Sequence, residues 1–277
     1  MVNAQAGQPV IAVLGLGEAG SEIARDLAAA GAVVRGYDPA VTATAPVTDT
    51  GSEAEAARGA DLVLSVNSAK AAVDACRSGL AGVDPGRDTV WADLNTASPG
   101  IKRELAEIAA KAGVPFADVA IMAPVPGQGL RVPMLTSGPG AARYASLLRP
   151  LGADIGILDG PAGLAATRKL LRSVFYKGMS TSIVEALEAA RAAGQEEWLR
   201  EHIAAELAIL DESALERITS GTHRHAVRRG AEMQAAADML TELGVPPLMA
   251  DGSRAVHQRL ADAERGDLLG QRRQGVG

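Results

Sequence analysis

Short apolar runs alternate with longer stretches of helical spacing along the first 160 residues of the chain. Residues 9–14 (PVIAVL) carry no polar interruption, the pattern of a parallel strand covered on both faces. GLGEAG and the helical run SEIARDLAAAG follow, and Gly31 suits the helix end. Further strands are predicted at 32–37, 61–66, TVWADL, VPFADVAI, 133–137 and 154–158. Helices near 52–58, 69–80, 100–112 and 140–149 lie between most of them, with short connections. This alternation predicts an α/β fold, an N-terminal Rossmann domain with a doubly wound parallel sheet. Only the loop 122–131 (MAPVPGQGLR) breaks the rhythm.

After Gly160-Pro161 the pattern changes. Residues 162–193 lack Pro and repeat small and apolar residues at helical spacing, which predicts one long helix. Helices near 196–208, 212–219, 225–243 and 250–264 follow, and GQRRQGVG is expected to fray. The expected organisation is a dinucleotide-binding domain over 1–160 and an all-α domain over 161–277, beginning with the long helix.

Composition narrows the class. Apolar residues make up 47% of the 277 positions and aromatics 3%, so the core is built from Ala, Val, Leu and Ile. A net charge of −6 speaks against a nucleic-acid partner. No apolar run reaches the ~18 residues of a membrane span, and MVNAQAGQPV lacks the basic start of a secretory leader. The expectation is a cytoplasmic protein without a membrane partner. Cys76 is the only cysteine, which excludes an intrachain disulfide and a cysteine-based zinc site. It reads as a small core residue. Of 27 basic residues only Lys70, Lys102, Lys111, Lys169 and Lys177 are lysines, so each lysine invites a specific explanation.

Gly15, Gly17 and Gly20 stand in GxGxxG spacing between a strand and a helix. This is the arrangement that lets backbone amides of Gly15, Leu16, Gly17, Glu18, Ala19 and Gly20 approach a pyrophosphate. Asp38 lies 18 residues beyond Gly20, at the tip of the second strand. A carboxylate there accepts from both adenosine ribose hydroxyls and repels a 2′-phosphate. NAD is the preferred cofactor on this reading. Arg35, able to swing toward a 2′-phosphate, keeps NADP open. Val66 and Asn67, with Ser65, end the third strand and are placed to flank the nucleotide; for Asn67 an ordinary loop role is the alternative. Asn95 and Thr96 follow the fourth strand, where this fold places ligands. Asn95 is assigned to the cofactor and Thr96 to the substrate, with an Asn-Thr turn cap as the alternative.

On the long helix Lys169, Arg172, Ser173, Tyr176 and Lys177 share one face. By spacing alone this is equally the wet side of an amphipathic helix. Four segments in order add context. GLGEAG resembles the GLGxMG loop of the β-hydroxyacid dehydrogenases, the superfamily of 3-hydroxyisobutyrate and 6-phosphogluconate dehydrogenases. DLNTASP at 93–99 is similar to their D-x-[ST]-T-x-x-P loop, and FADVAIMAPVPG at 116–127 in part to their substrate loop. There Met122 and Ala123 replace a Ser-Gly pair. GLAATRK resembles G-x-G-x-x-x-K, which puts Lys169 at the catalytic lysine. The asparagines usual after that lysine are replaced by Arg172 and Ser173, as in a less characterised branch with a second lysine, here Tyr176-Lys177-Gly178.

The resemblance implies hydride transfer between NAD(P) and a small, anionic hydroxy acid or related carbonyl. Lys169 is the general acid/base, and a homodimer is expected. Burial and the like charges of Arg172 and Lys177 would ease loss of its proton. Met122, Ala123, Arg172, Ser173, Tyr176 and Lys177 are the expected substrate contacts, Arg172 as a clamp for carboxylate or phosphate. The alternatives are an imine reductase, which usually replaces this lysine, and a non-catalytic NAD-binding sensor or scaffold. His223 and His225 have metal-ligand spacing without a third ligand. The resemblance sets them, with Arg228, Arg229 and Glu232, near the site mouth, against a solvated helix start as the plainer reading. No metal is expected.

Overall fold

The computed structural model describes residues 8–274; most of the N-terminal stretch read above as lacking a leader, and the last three residues, lie outside the described residues. The chain divides into two compact units, residues 1–172 and 173–277.

The first unit is built on one eight-stranded sheet. Its strands are β1 (Val10–Leu14), β2 (Val33–Tyr37), β3 (Thr48–Asp49), β4 (Leu62–Ser65), β5 (Val90–Asp93), β6 (Phe116–Ile121), β7 (Met134–Ser137) and β8 (Ile155–Ile157). Their order is β3-β2-β1-β4-β5-β6-β7-β8, and the switch of direction falls between β1 and β4. The apolar strands are buried on both faces, as their sequence requires. Ile11 and Val13 of β1 join one core with Leu62 and Leu64 of β4; Ala12 and Leu14 join the other with Val63 and Trp91. Helices α1 (Glu18–Ala29) and α5 (Ala141–Leu148) cover the first core through Ile23, Leu27, Tyr144 and Leu148. Helices α2 (Glu53–Ala57), α3 (Ala72–Leu80) and α4 (Pro99–Lys111) cover the second through Ala56, Cys76, Leu105 and Ala109.

The sheet is parallel, as expected of a doubly wound fold, except at β7, which runs antiparallel to β6 in the register Asp118↔Ser137 to Ile121↔Met134. The cause lies in the loop 122–131. It contains only a 3-10 turn at Gly129–Arg131, and without a crossover helix the chain folds straight back. The edge strand β3 was not expected. Two residues are too few to show periodicity.

Helix α6 (Leu164–Ala192) is the predicted long helix. It is followed by α7 (Glu196–Ala208), α8 (Glu212–Arg224), α9 (Ala226–Glu242) and α10 (Leu248–Gln274). Helix α8 runs five residues past its expected end, so His223 lies in a last helical turn and not at a helix start. Helix α10 continues through Gln274, so the GQRRQ segment expected to fray is helical. In this second unit α9 packs on α10. Its fixed point is Glu185 of α6, whose carboxylate accepts from the amides of Met249 (2.7 Å) and Ala250 (2.9 Å) in the first turn of α10. Among the described residues no helix is long and apolar enough to cross a membrane.

Candidate active site at the carboxyl ends of the central strands

The glycine loop links β1 to α1. Gly15 has φ +100, and a Cβ on it would meet the Val66 carbonyl oxygen at 2.6 Å. A Cβ on Gly20 would stand 1.9 Å from the Gly15 oxygen, so the helix lies too close to the turn for any side chain there. Gly17 differs: a Cβ there meets nothing within 4 Å. Its open side is room that a ligand backbone can fill. Helix α1 has no side-chain cap, whereas Ser52, Ser98 and Asp211 cap α2, α4 and α8. The first-turn amides beside exposed Glu18 and half-buried Ala19 are therefore available as donors to an anion. The residues present fit a dinucleotide pyrophosphate.

Asp38 sits just past β2 and is held in place by the loop itself. Its Oδ2 accepts from Leu16 N at 2.8 Å, and its Oδ1 from Ala40 N at 2.8 Å and Val41 N at 3.1 Å. Oδ1 thus accepts from two amides, whereas Oδ2, with a single donor, keeps a lone pair for a ribose hydroxyl. The Arg35 guanidinium is turned elsewhere and donates to the Arg58 carbonyl.

Across the switch point, Asn95 is the centre of a buried polar group. Its Nδ2 lies 2.7 Å from Asp93 Oδ2, 2.8 Å from Asn67 Oδ1 and 3.0 Å from Ser65 Oγ. Val66 packs on the core beside them and Thr96 is exposed. Asp93 in turn is paired with Lys102, whose Nζ lies 2.6 Å from Asp93 Oδ1, 2.7 Å from the Asp93 carbonyl and 3.3 Å from Asp118 Oδ1. All three side chains are at most 1% exposed. Asp93 and Asp118 are register partners on β5 and β6, so two carboxylates are forced together inside the protein. Burying two carboxylates side by side is costly unless a cation lies between them.

Asp118 leads on to the helix that carries Lys169. Its Oδ2 accepts from the amides of Gly163 (2.9 Å) and Ala166 (3.1 Å), and Ser137 Oγ accepts from Ala165 N (3.1 Å). These donors belong to the start of α6, which a buried carboxylate both satisfies and stabilises. Lys169 is half-buried one turn further along.

Sequence reasoning did not single out Asp93, Lys102 and Asp118. The signal was present. Both aspartates interrupt apolar strands, and Lys102 lies on the same face of α4 as buried Leu105 and Ala109. A lysine in a buried stripe needs a carboxylate partner.

The loop 122–131 is tied down on two sides. Glu22 Oε1 and Asp26 Oδ2, one turn apart on α1, accept from Gly127 N (2.9 Å) and Leu130 N (2.8 Å). Arg172 Nη1 donates to the Met122 carbonyl at 2.6 Å. Arg172 thus holds the loop at Met122. Met122 packs against Ala120, Leu158 and Ala165, and Ala123 against the first core. Ser173, Tyr176 and Lys177 continue on α6 in the second unit, Tyr176 and Lys177 exposed and Ser173 half-buried. The apolar residues between them are not covered: Leu171 is 65% exposed, Val174 75% and Phe175 67%. The polar stripe is therefore not simply the wet side of an amphipathic helix.

His223 and His225 lie at the α8–α9 junction and are exposed. Around them Arg228 pairs with Glu232, and Arg229 donates to Thr222 Oγ1. Among the described residues no group of three or more His, Cys, Asp or Glu is placed to hold a metal. An apolar hollow of about 410 Å³ in the helical unit, between Ala189, Trp198, Met233 and Leu243, carries none of the chemistry described above.

Comparison with known proteins agrees with this geometry. Residues 10–130 match the family described as the NAD binding domain of 6-phosphogluconate dehydrogenase, and residues 190–260 match the domain of unknown function DUF1932. No curated protein matches the sequence. The solved structure of conserved protein MTH1747, described as of unknown function and similar to 3-hydroxyacid dehydrogenases, is 29% identical. The match covers 92% of this chain and 97% of that one, with a TM-score of 0.61. An imine reductase from Pseudomonas sp. is 20% identical, with 93% and 95% covered and a TM-score of 0.70. A reductive aminase from Aspergillus terreus, solved with NADPH and ethyl levulinate, is 17% identical, with 94% and 96% covered and a TM-score of 0.73. The last two share the fold. Residues 10–130 are thus similar to the NAD binding domain of 6-phosphogluconate dehydrogenase, and residues 190–260 to the family DUF1932.

Proposed function

We propose that the protein is an NAD-dependent oxidoreductase that interconverts a small, anionic hydroxy acid and its carbonyl form, with Lys169 as general acid/base. The observation that carries this reading is the buried Asp118 carboxylate, which caps the start of α6 and so fixes the helix bearing Lys169. Asp118 shares Lys102 with Asp93, and Asp93 holds Asn95, so the cofactor side and the catalytic helix are set by one buried group.

The bound dinucleotide supplies the hydride acceptor or donor. In oxidation Lys169 Nζ takes the hydroxyl proton as the carbon-bound hydrogen leaves as hydride; in reduction it returns that proton to the carbonyl oxygen. Asp38 supports NAD, because its carboxylate stands just past β2 against the glycine loop and the Arg35 guanidinium is engaged with the Arg58 carbonyl. The NADPH in the reductive aminase makes NADP the competing outcome. Thr96 and the Met122–Ala123 segment, braced by Arg172, are read as lining the substrate position.

A second reading, reduction of a C=N bond, is favoured by the fold of the imine reductases. Lys169 supports the hydroxy-acid reading over it. A panel of small hydroxy acids assayed for NADH and NADPH formation, beside cyclic imines assayed for NADPH consumption, separates the two. Turnover of imines alone would overturn the first reading.

We read the helical unit as half of a homodimer. Val174, Phe175, Val227 and Leu248 are each at least 67% exposed, apolar side chains that a second copy would cover.

A further inference from the structure

The Asn95 amide has one orientation available to it. Two of its three inward neighbours, Asp93 Oδ2 at 2.7 Å and Asn67 Oδ1 at 2.8 Å, are oxygens that only accept. The third, Ser65 Oγ at 3.0 Å, is itself 3.4 Å from Asn67 Oδ1, to which its hydroxyl can donate. Turning the amide over would set oxygen against oxygen at Asp93 Oδ2, whichever way the Asn67 amide faces. Asp93 cannot turn away, because its other oxygen and its carbonyl are both held by the Lys102 ammonium.

We infer that Lys102 and Asp93 are positioning residues that lock the Asn95 amide nitrogen inward, so that its Oδ1 is presented as an acceptor to a hydroxyl or N–H donor on the nicotinamide-ribose half of the dinucleotide. Asn95 follows β5, and Asp38 follows β2, on opposite sides of the β1–β4 switch point that a dinucleotide bridges. Asp38 takes the adenosine side, which leaves the nicotinamide side to Asn95. The inference rests on the NAD(P)-binding fold and not on the reaction proposed above.

An isosteric exchange tests the polarity. In Asp93→Asn the new amide turns its oxygen to Lys102 and its nitrogen to Asn95. Two nitrogens then face each other, Asn95 turns over, and a donor is presented where an acceptor belongs. The double variant Asp93→Asn/Asn95→Asp keeps the charge of the group. In it the amide nitrogen at position 93 donates to the inner oxygen of the carboxylate at position 95, whose outer oxygen accepts again.

NADH and NADPH are titrated by nicotinamide fluorescence on wild type and both variants, with 5′-ADP, which lacks the nicotinamide half, in competition. The tighter dinucleotide should bind Asp93→Asn roughly tenfold more weakly and the double variant nearly as wild type, while ADP binds all three alike. Unchanged dinucleotide binding by Asp93→Asn overturns the inference, as does equal weakening of ADP. Should Asp93→Asn melt before titration, the double variant decides. Failure to restore both fold and binding contradicts the inference, and recovery supports it. Because only binding is read, the outcome is independent of whether Lys169 performs the chemistry.

Discussion

The Lys102 ammonium lies 2.6 Å from Asp93 Oδ1 with both side chains shut off from solvent, and it joins Asp93, which holds Asn95, to Asp118, which caps the helix that carries Lys169. Removing one member of such a group leaves an uncompensated buried charge. Lys102→Met should therefore lower stability by about 3–5 kcal/mol, measured by urea unfolding. A loss under about 1 kcal/mol would mean that Asp93 and Asp118 need no buried cation.

Burial pushes the Cys76 thiol up to about 12, aided by the charge of Asp93. The folded protein thus holds the thiol form where an unfolded chain begins to ionise. The stability this contributes is complete below about 9, the ordinary thiol value. It is lost as pH rises from there toward 12. Iodoacetamide at pH 8 should leave folded Cys76 unmodified and label it fully in urea. Rapid labelling of the folded protein would show that α3 opens readily.

Asp38 is expected to select against a 2′-phosphate. Asp38→Ser keeps a short acceptor for Leu16 N while removing the charge. The ratio of NADH to NADPH affinity should then fall roughly tenfold, by fluorescence titration. An unchanged ratio would remove Asp38 from the choice of cofactor.

Phe175 and Val174 are exposed on α6. If a second copy covers them, Phe175→Glu should shift the protein from dimer to monomer by light scattering while its helix content stays the same. A wild-type monomer, or an intact variant dimer, contradicts that assembly.

The glycine loop, Asp38 and the long helix were legible in the sequence because each is a local pattern. Strand, turn and helix follow one another at Gly15–Gly20, and α6 spans 29 residues of helical spacing. The direction of β7 was not legible. It depends on what the loop 122–131 fails to form. Lysine scarcity drew attention to Lys169 on a polar stripe, yet the wholly buried lysine is Lys102. Its role depends on Asp118, distant in sequence and brought near by the pairing of β5 with β6. The role of Arg172 was hidden for the same reason: its partner, the Met122 carbonyl, lies 50 residues away.

The most direct test of the account is the pH–rate profile of hydroxy-acid oxidation by wild type and Lys169→Ala. Wild type should show a limb that rises with pH as one group loses its proton. In Lys169→Ala that limb should vanish and turnover should fall by about 10²–10⁴, while dinucleotide affinity and melting temperature stay near wild type. Oxidation that survives unchanged in the alanine variant would contradict the assignment of Lys169 as the general base.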